Sequence, residues 1–483
     1  MADAVINDEG YQLYARRWFV LVVVCGLNFS NAMMWITFAP VTYYTNGYYC
    51  EGCDYAATLL NIVFMACSIP IGFVAMWSVD RFGLRSGCVF GAWTNCAGGI
   101  IRAIASTGWI PVHLRFPVVL AGQVIAACGQ PFIMYLPTKL AAFWFPDNQR
   151  AIANTLSSMS NPLGIAAMYA LSPLIVDDVR PDNFLVLNII VAGPALLVAL
   201  MTLGVTSSRP PTPPAASAAS EEAPRFWAGL KMALRTPAFL VLAVTLGGGV
   251  GLFNSLYNNL QPMLCVKGYS NTFIGAMGAL LIISGLIGAA ISGVLVDKTK
   301  MFQEIMKVSF AGAGIAACSY CVAIQYEGQH AWVVASVFMF GLFGFAIYPI
   351  GLEIGVETTY PVAEATSTGL IIITGQLEGV LFVVLTGALT QSITPAEKIV
   401  QTCKTDSSAT SDVDVLDWKW SAVAWNIMAV TLIVIFIVFF WPRYKRIEYE
   451  NQKRVNRPLA GDSLQPPIVD VEYSNFVGDS SHL

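Results

Sequence analysis

The sequence feature that most constrains the fold is a short charged turn that occurs twice. Residues 80–85 (DRFGLR) follow one long apolar stretch, and residues 297–300 (DKTK) follow another. Each turn stands after the second apolar span of its half of the chain. The repeat predicts a duplicated unit of six spans, and such a unit limits the function to moving something across a membrane.

Composition agrees with a membrane protein. Hydrophobic residues make up 56% of the chain and charged residues 12%, against roughly 25% charged residues in soluble proteins. A soluble core could not hide that much apolar surface, so the lipid bilayer is the expected partner. The net charge of −4 and the lack of a large basic cluster give no indication of nucleic-acid binding. No nucleophile–base pair or metal-ligand spacing stands out, so we expect neither an enzyme nor a cofactor.

A transmembrane helix needs about 20 mostly apolar residues. Twelve such spans are predicted, at residues 18–43, 55–78, 86–108, 116–138, 150–173, 184–205, 237–260, 271–296, 305–325, 330–352, 364–390 and 420–441. The predicted fold class is therefore an all-α membrane protein, with twelve transmembrane helices in two pseudo-symmetric halves of six helices each.

Polar segments divide the chain into five parts. The segment between the sixth and seventh spans is rich in proline and small residues, which predicts an irregular tether rather than a third domain. The polar, proline-containing C-terminal tail is predicted to be disordered. The boundaries are an N-terminus at 1–17, six-helix bundles at 18–205 and 237–441, a linker at 206–236 and a tail at 442–483.

The distribution of lysine and arginine predicts the orientation. Nineteen of the 26 basic residues fall on the side that carries both termini, and basic residues concentrate on the cytosolic side of a membrane. We therefore expect both termini, the linker and both charged turns to be cytosolic. The sequence leaves two locations possible, the plasma membrane and an endolysosomal membrane. We expect the protein to be a monomer.

Four cysteines lie outside the spans and toward the opposite face by topology: Cys50, Cys53, Cys265 and Cys403. A disulfide among them is expected if that face is extracytosolic. A zinc site is the alternative, although no clustered histidine supports it.

Polar residues at helical spacing predict where a substrate binds. Such residues occur at Asn28, Asn31 and Trp35 in span one, at Asn154, Ser157, Ser158 and Asn161 in span five, at Asn254, Tyr257, Asn258 and Gln261 in span seven, at Gln123 and Gln130 in span four, and at Gln376 in span eleven. Polar side chains are costly against lipid and should point inward. We expect a central cavity between the halves, with a substrate bound by Trp35, Asn31, Asn254, Tyr257, Asn258 and Gln376. The alternative is a set of hydrogen bonds that only hold the bundle together.

Glu378 is the clearest acidic residue near the middle of a span. It could couple transport to protons or balance a cation, or it could be a neutral structural acid bonded to Thr374. Gln376 and Glu378 are two residues apart, about 200° around a helix. If Gln376 lines the cavity, Glu378 is expected to pack between helices. Glu353, Glu357 and Glu364 cluster at the predicted cytosolic end of spans ten and eleven. They could form a gate or belong to a solvated loop.

The repeated turn resembles the motif of the major facilitator superfamily, and residues 144–150 (WFPDNQR) resemble another of its loops. Met76 replaces the first glycine of the motif, and the second copy lacks the later glycine. A carboxylate in the turn can cap a neighbouring helix N-terminus and pair with the adjacent basic residue. The implied gating residues are Asp80, Arg81, Arg85, Asp297 and Lys298.

Residues 14–19 (YARRWF), 30–35 (SNAMMW) and 353–369 carry a closer resemblance, to solute carrier family 49, the feline leukaemia virus subgroup C receptor-related family. This resemblance covers residues 12–445. It implies alternating-access transport of a small organic solute, which we expect to be facilitative. The family suggests a choline- or ethanolamine-like cation, or haem, as the cargo.

The family pattern of the choline carriers places a tryptophan, a tyrosine and two glutamines around the ammonium group, which suits cation–π attraction. Trp35 and Gln376 match the tryptophan and one glutamine. Asn254 stands in place of the tyrosine, and Pro162 in place of the other glutamine. For haem, the three histidines, His113, His330 and His482, all lie away from the middle of a span, so none is suited to axial iron ligation there.

A second function class is a receptor or scaffold that keeps the transporter fold without transporting. It would bind a partner through its loops or tail. The polar residues at helical spacing distinguish the two classes, because a scaffold has no need for a cavity that spans both halves.

Overall fold

The structure, a computed structural model, describes residues 4–6, 12–50, 55–146, 149–176, 180, 182–214, 224–299, 301–402 and 416–455. Its main elements are twelve long helices. They are α1 (Arg16–Ile36), α2 (Ala56–Phe82), α3 (Leu84–Ala105), α4 (Val112–Met134), α5 (Arg150–Ile175), α6 (Phe184–Thr202), α7 (Pro237–Cys265), α8 (Asn271–Thr299), α9 (Phe302–Ala323), α10 (His330–Thr359), α11 (Glu364–Ala388) and α12 (Lys419–Phe439). The prediction of twelve long helices is confirmed.

Within the described residues, eleven of these helices are long and apolar enough to cross a membrane. The twelfth, α5, has 26 residues but carries a row of polar side chains. Three of these, Asn154, Ser157 and Ser158, are buried. Helix α5 therefore has spanning length, and its polar face turns inward instead of toward lipid.

Helices α1–α6 form one half and α7–α12 the other. Across the boundary, α2 contacts α11, and α5 contacts α8 and α10. Large apolar side chains such as Leu197, Ile315 and Phe439 are 61%, 75% and 63% exposed. Such an apolar exterior suits lipid, which hydrogen-bonds with nothing and requires helices that satisfy their own backbones.

Two predicted spans end differently in the structure because proline interrupts the helix. Helix α1 stops at Ile36, and a 3-10 turn at Ala39–Val41 with Pro40 in it leads to a short helix at Thr42–Tyr49. Helix α4 stops at Met134, and a short helix at Leu136–Trp144 begins with Pro137 at its start. Proline lacks the N–H that continues the ladder of hydrogen bonds.

The linker and the tail are more ordered than predicted. The linker contains a helix at Phe226–Ala233, whose Gly229 lies close to Val362 beside α11. The tail contains a helix at Lys445–Val455, called here the tail helix. The expectation of irregular or disordered chain is thus wrong at residues 226–233 and 445–455, because both helices gain stability by packing on the bundle. Residues 456–483 lie outside the described chain.

The two ends of the bundle can be told apart by what they carry. The terminal end carries the N-terminal hairpin of β1 (Ala4–Ile6) and β2 (Gln12–Tyr14), the linker helix and the tail helix. The opposite end, the loop end, carries β3 (Gln391–Ser392), a helix at Pro395–Val400 and β4 (Leu416–Asp417).

Two of the four loop cysteines can be assessed in the structure. Cys50 and Cys265 each take part in a disulfide bond, in agreement with the disulfide expectation rather than zinc. Cys53 and Cys403 lie outside the described residues.

Candidate substrate cavity

A cavity of about 120 Å³ lies between the two halves. One water molecule needs roughly 10–15 Å³ of such volume, so the cavity has room for several waters or a small organic solute. Its polar lining comes from both halves: Asn28, Trp35, Gln130, Ser158 and Asn161 from the first, and Thr245, Asn254, Tyr257 and Gln376 from the second. This lining agrees with the expectation of a central polar cavity.

Four of the six predicted substrate-binding residues line the cavity: Trp35, Asn254, Tyr257 and Gln376. The indole N–H of Trp35 donates to the backbone oxygen of Asn61 at 3.2 Å, which fixes the ring. The hydroxyl of Tyr257 and Oε1 of Gln376 are buried and have no hydrogen-bond partner within the described chain. A bound solute could supply those partners, because buried polar groups are normally hydrogen-bonded.

The other two predicted residues lie outside the cavity lining. Asn31 donates to Oδ1 of Asn95 on α3 at 3.0 Å, and Asn258 donates to the backbone oxygen of Asn254 at 2.7 Å. Asn258 thus makes a local bond to its own helix, as asparagine side chains often do. The Asn31 contact, which joins α1 to α3, matches the alternative in which a polar residue only holds the bundle together.

The positions expected from the resemblance come together in space. Trp35, Pro162, Asn254 and Gln376, which come from α1, α5, α7 and α11, all line this one cavity. Tyr257 lies about one turn beyond Asn254 and lines it too. An aromatic residue of α7 therefore lines the cavity, although Asn254 stands where the resemblance implies a tyrosine.

An aromatic wall was missed from the sequence. Phe253 stacks on Phe340 with centroids 4.8 Å apart and packs against Phe345 at 4.7 Å, and Phe310 and Tyr348 also line the cavity. Phenylalanine within an apolar span looks the same whether it faces lipid or the interior. The available signal was that Phe253 and Tyr257 are four residues apart and share a helix face.

The cavity is uncharged. None of the described residues that line it carries an acidic or basic side chain. A strongly hydrated ion would lose its water there without a compensating charge. The lining suits a neutral solute or a weakly hydrated cation that binds aromatic faces and carbonyl oxygens.

Glu378 lies between helices, outside the cavity lining. A Cβ built on Gly248 of α7 would stand 2.5 Å from Oε2 of Glu378, so the carboxyl group packs against α7. The Thr374 hydroxyl donates to the backbone oxygen of Leu370 at 2.8 Å, and this differs from the expected bond to Glu378. Gln376 lines the cavity, so the two residues face different ways as helix geometry requires.

Asp80 joins the two halves at the terminal end. Its Oδ1 pairs with Lys139 at 2.7 Å, and its Oδ2 accepts from the Thr366 hydroxyl at 2.6 Å. Thr366 lies in the first turn of α11, where the helix dipole favours a carboxylate. The predicted contact with a neighbouring helix N-terminus is present, but the basic partner is Lys139. Arg81 instead lies over the rings of Trp77 and Phe82, 5.4 and 5.7 Å from their centroids.

The remaining predicted gating residues lie apart from Asp80. The Arg85 guanidinium donates to the backbone oxygen of Thr206 at 3.2 Å, so it joins α3 to the start of the linker. Lys298 is exposed at the end of α8, and the side chain of Asp297 lies outside the described part. Gating by the second copy of the turn stays a prediction.

The predicted glutamate cluster meets the tail helix. Glu353 and Glu357 are buried at the terminal end of α10. Oε2 of Glu357 accepts the backbone N–H of Ile447 at 3.2 Å, and the neighbouring Arg446 is buried as well. Glu357 thus contacts the first turn of the tail helix, and the solvated-loop alternative does not apply to it.

Arg102 is a buried residue that the sequence reading passed over, because an arginine near a span end resembles topology charge. Its guanidinium donates to Met34 O at 2.5 Å, Gln123 Oε1 at 2.9 Å and Asn188 Oδ1 at 3.0 Å. It also lies 4.4 Å from the ring centroid of Phe38. These contacts hold the end of α1 next to Trp35.

Comparisons with known proteins agree with this architecture. The profile described as Major Facilitator Superfamily matches residues 18–383. The chain is 38% identical to a Danio rerio protein named Solute carrier family 49 member A3, over 94% of this chain and 93% of that one. The Xenopus tropicalis protein of the same name is 36% identical, over 90% and 89%.

More distant relatives have names that state a substrate. A Rattus norvegicus protein named Choline/ethanolamine transporter FLVCR2 is 27% identical, over 79% of this chain and 71% of that one. Among solved structures, the proton:xylose symporter XylE has a TM-score of 0.65 at 14% identity, covering 90% of this chain and 99% of that one. The transporter FucP in its outward conformation has a TM-score of 0.62 at 13% identity, covering 86% and 97%. At these identities, the solved structures show the fold alone.

Proposed function

The chain belongs to the major facilitator superfamily and, within it, to solute carrier family 49, so it is a multi-pass membrane transporter, and we propose that it moves a small organic cation of the choline or ethanolamine class. We further propose facilitated transport by alternating access. The observation that carries the substrate proposal is the uncharged aromatic cavity, lined by Trp35 from one half and by Tyr257 and Gln376 from the other.

The chemistry of the lining supports this substrate class. A quaternary ammonium group binds aromatic faces, and tryptophan is the strongest of these. An alcohol group needs a hydrogen-bond partner, which the unpartnered Tyr257 hydroxyl and Gln376 Oε1 can supply. The relatives named as choline/ethanolamine transporters support the same class. A receptor that only displays its loops has no need for such a lining.

Haem lacks comparable support. His113 is exposed at the start of α4, and His330 packs against Tyr269 and Phe273 at the loop end. His482 lies outside the described residues. Neither described histidine lines the cavity, so a cargo that requires axial iron ligation has no ligand there.

The transport cycle follows from contacts between the halves. At the terminal end, Asp80 bonds to Thr366 and Thr138 lies 3.2 Å from Thr368 between hydroxyl oxygens. At the loop end, Gly275 and Gly278 of α8 lie close to Tyr169 of α5. Releasing one set of contacts while the other holds would open the cavity to one side at a time.

Several further features belong to the proposal. The basic-residue count supports cytosolic termini, and the plasma membrane and an endolysosomal membrane both remain candidates. A monomer needs no further subunit to form the cavity. Glu378 lies outside the cavity lining, which favours facilitated transport over proton coupling through that residue.

Uptake by proteoliposomes tests the substrate proposal. We expect the Trp35→Leu variant to raise the KM for labelled choline by roughly three- to thirty-fold, because it removes one cation–π face. Trp425→Leu is the matched control. Both indoles are buried and donate to a backbone oxygen, at 3.2 Å for Trp35 and 3.1 Å for Trp425, but Trp425 lies outside the cavity lining.

Equal KM values for wild type and Trp35→Leu would contradict the proposed site. Absence of both choline and ethanolamine uptake by well-folded wild-type protein would contradict the substrate class.

A further inference from the structure

Tyr169 forms a contact between the two halves near the loop end. It lies in α5 and is buried, and its hydroxyl donates to the backbone oxygen of Tyr257 in α7. The contact thus connects the first half of the molecule to the second. It lies on the loop-end side of the cavity, opposite the Asp80 contacts.

The ring of Tyr169 needs the glycines of α8. A Cβ built on Gly278 would stand 2.4 Å from Cδ1 of Tyr169, and one built on Gly275 would stand 2.9 Å from its backbone oxygen. Cβ contacts under about 3.0 Å essentially do not occur. Any side chain at position 278 would therefore displace the ring, and the glycines let α5 and α8 approach closely.

Tyr257 takes part in both the cavity and this contact. Its ring lines the cavity, with its centroid 6.1 Å from that of Tyr169. Its hydroxyl is buried without a partner in the described chain, while its backbone oxygen accepts the Tyr169 hydroxyl. A single residue therefore links the cavity wall to the loop-end contact.

We propose that Tyr169, packed on Gly278 and bonded to the backbone of Tyr257, is a positioning residue that closes the loop-end gate. The proposal rests on the proposed function, because a gate presupposes alternating access. Loss of the hydroxyl or of the close glycine contact should shift the protein toward a state that is open at the loop end. The shift should occur without any substrate.

Distances between spin labels test this gate directly. Leu174→Cys on α5 and Thr272→Cys on α8 are both at exposed positions near the loop end. They would be labelled in a background in which the seven described free cysteines are replaced. Pulsed electron paramagnetic resonance in nanodiscs then measures the ratio of long to short distances, and this readout needs no transported solute.

We expect Tyr169→Phe to raise that ratio roughly fivefold, as expected for one net hydrogen bond. Gly278→Ala should raise it at least as much, because the ring must move. Tyr49→Phe is the matched control, because Tyr49 is another buried tyrosine whose hydroxyl is hydrogen-bonded, but its partners Ser106 and Asn188 lie in its own half. Distance distributions of Tyr169→Phe and Gly278→Ala that equal those of Tyr49→Phe would overturn the proposal.

The two proposals can fail separately. A shift in distance without choline or ethanolamine uptake would support the gate and contradict the substrate class. Uptake without a shift in either variant would contradict the gate and leave the substrate class supported.

Discussion

Arg102 shows how one buried residue can support the cavity from outside it. Its guanidinium bonds to Asn188, to Gln123 and to the carbonyl of Met34. All three acceptors are neutral. Met34 directly precedes Trp35, and α1 ends two residues after Met34. The side chain of Arg102 thus fixes the chain at the point where Trp35 must be held in position.

A first prediction concerns this network. Asn188→Ala removes a side chain that accepts from Nε and Nη2 of Arg102. It should lower the free energy of unfolding by about 1–3 kcal/mol, because a buried charged donor is left unsatisfied. Thermal unfolding in nanodiscs measures the change. Asn426→Ala is the control, because the partners of Asn426 among the described residues are neutral and include the backbone oxygen of Ala317 and the thiol of Cys318.

Equal melting temperatures for the Asn188 and Asn426 variants would contradict the idea that Arg102 depends on Asn188.

For single residues, the sequence predicted which polar side chains line the cavity better than which apolar side chains do. Helical spacing identified Trp35, Asn254, Tyr257 and Gln376, because polar groups inside a membrane must face inward. It could not separate them from Asn31, since spacing does not say whether an amide faces a cavity or a neighbouring helix. The aromatic wall around Phe253 carried no polar signal.

The tail helix packs against the terminal end of the bundle. The backbone N–H of Ile447, in its first turn, donates to Oε2 of Glu357. The ring centroids of Tyr449 and Tyr360 are 5.0 Å apart. Tyr360 stands in the turn between α10 and α11, just before the residues that contact Asp80. Docking of the tail helix therefore stabilises the turn that leads to the terminal-end contact.

A second prediction follows for the tail helix. Glu357→Gln weakens the interaction with the helix N-terminus, where a negative charge is favoured by about 0.3–1 kcal/mol. Hydrogen–deuterium exchange of residues 445–455 should then be faster, by roughly two- to fivefold. Glu304→Gln, in the first turn of α9, is the control. Unchanged exchange in Glu357→Gln would show that the tail helix docks independently of this carboxylate.

At the loop end, Lys267 and Glu397 join two loops of the second half, with Nζ and Oε1 2.6 Å apart. Burial alone would raise the pKa of Glu397. Hydrogen bonds from Lys267 and Thr394 outweigh that effect and hold the pKa below its ordinary value of 4.5. The folded state therefore favours the charged carboxylate.

A third prediction concerns pH. Because the folded-state pKa of Glu397 is lowered, its stabilisation is fully present above pH 4.5 and is lost as the pH falls through the lowered value. Wild type should exceed Glu397→Gln in unfolding free energy by about 1 kcal/mol or less at pH 7. The difference should vanish in acid. Thermal unfolding across pH measures it, and a difference that grows in acid would contradict the assignment.

Long elements were predictable and short ones were not. The twelve helices follow from apolar length, but the helices at Phe226–Ala233 and Lys445–Val455 are too short to be stable alone and depend on packing. Their surroundings exist only in the folded molecule. The end of α1 at Ile36 was likewise not predicted, although the sequence contains Pro40, because the apolar run continues past that proline.

For the whole molecule, the central point is a cavity that lies between two sets of contacts, one at each end. Asp80 and Thr366 connect the halves at the terminal end, and Tyr169 and Tyr257 connect them at the loop end. The lining between these contacts comes from both halves. Motion of one half against the other is the natural way to open such a site.

The measurement that tests this account most directly is small-molecule profiling of cells that lack the chain and re-express variants at equal levels. The account predicts that wild type changes the level of a small organic cation and that Gln376→Leu abolishes the change. Gln325→Leu should retain it, because Gln325 lies at the loop end and bonds to Cys321 O at 3.3 Å. The same change in wild type and Gln376→Leu would contradict transport through this cavity.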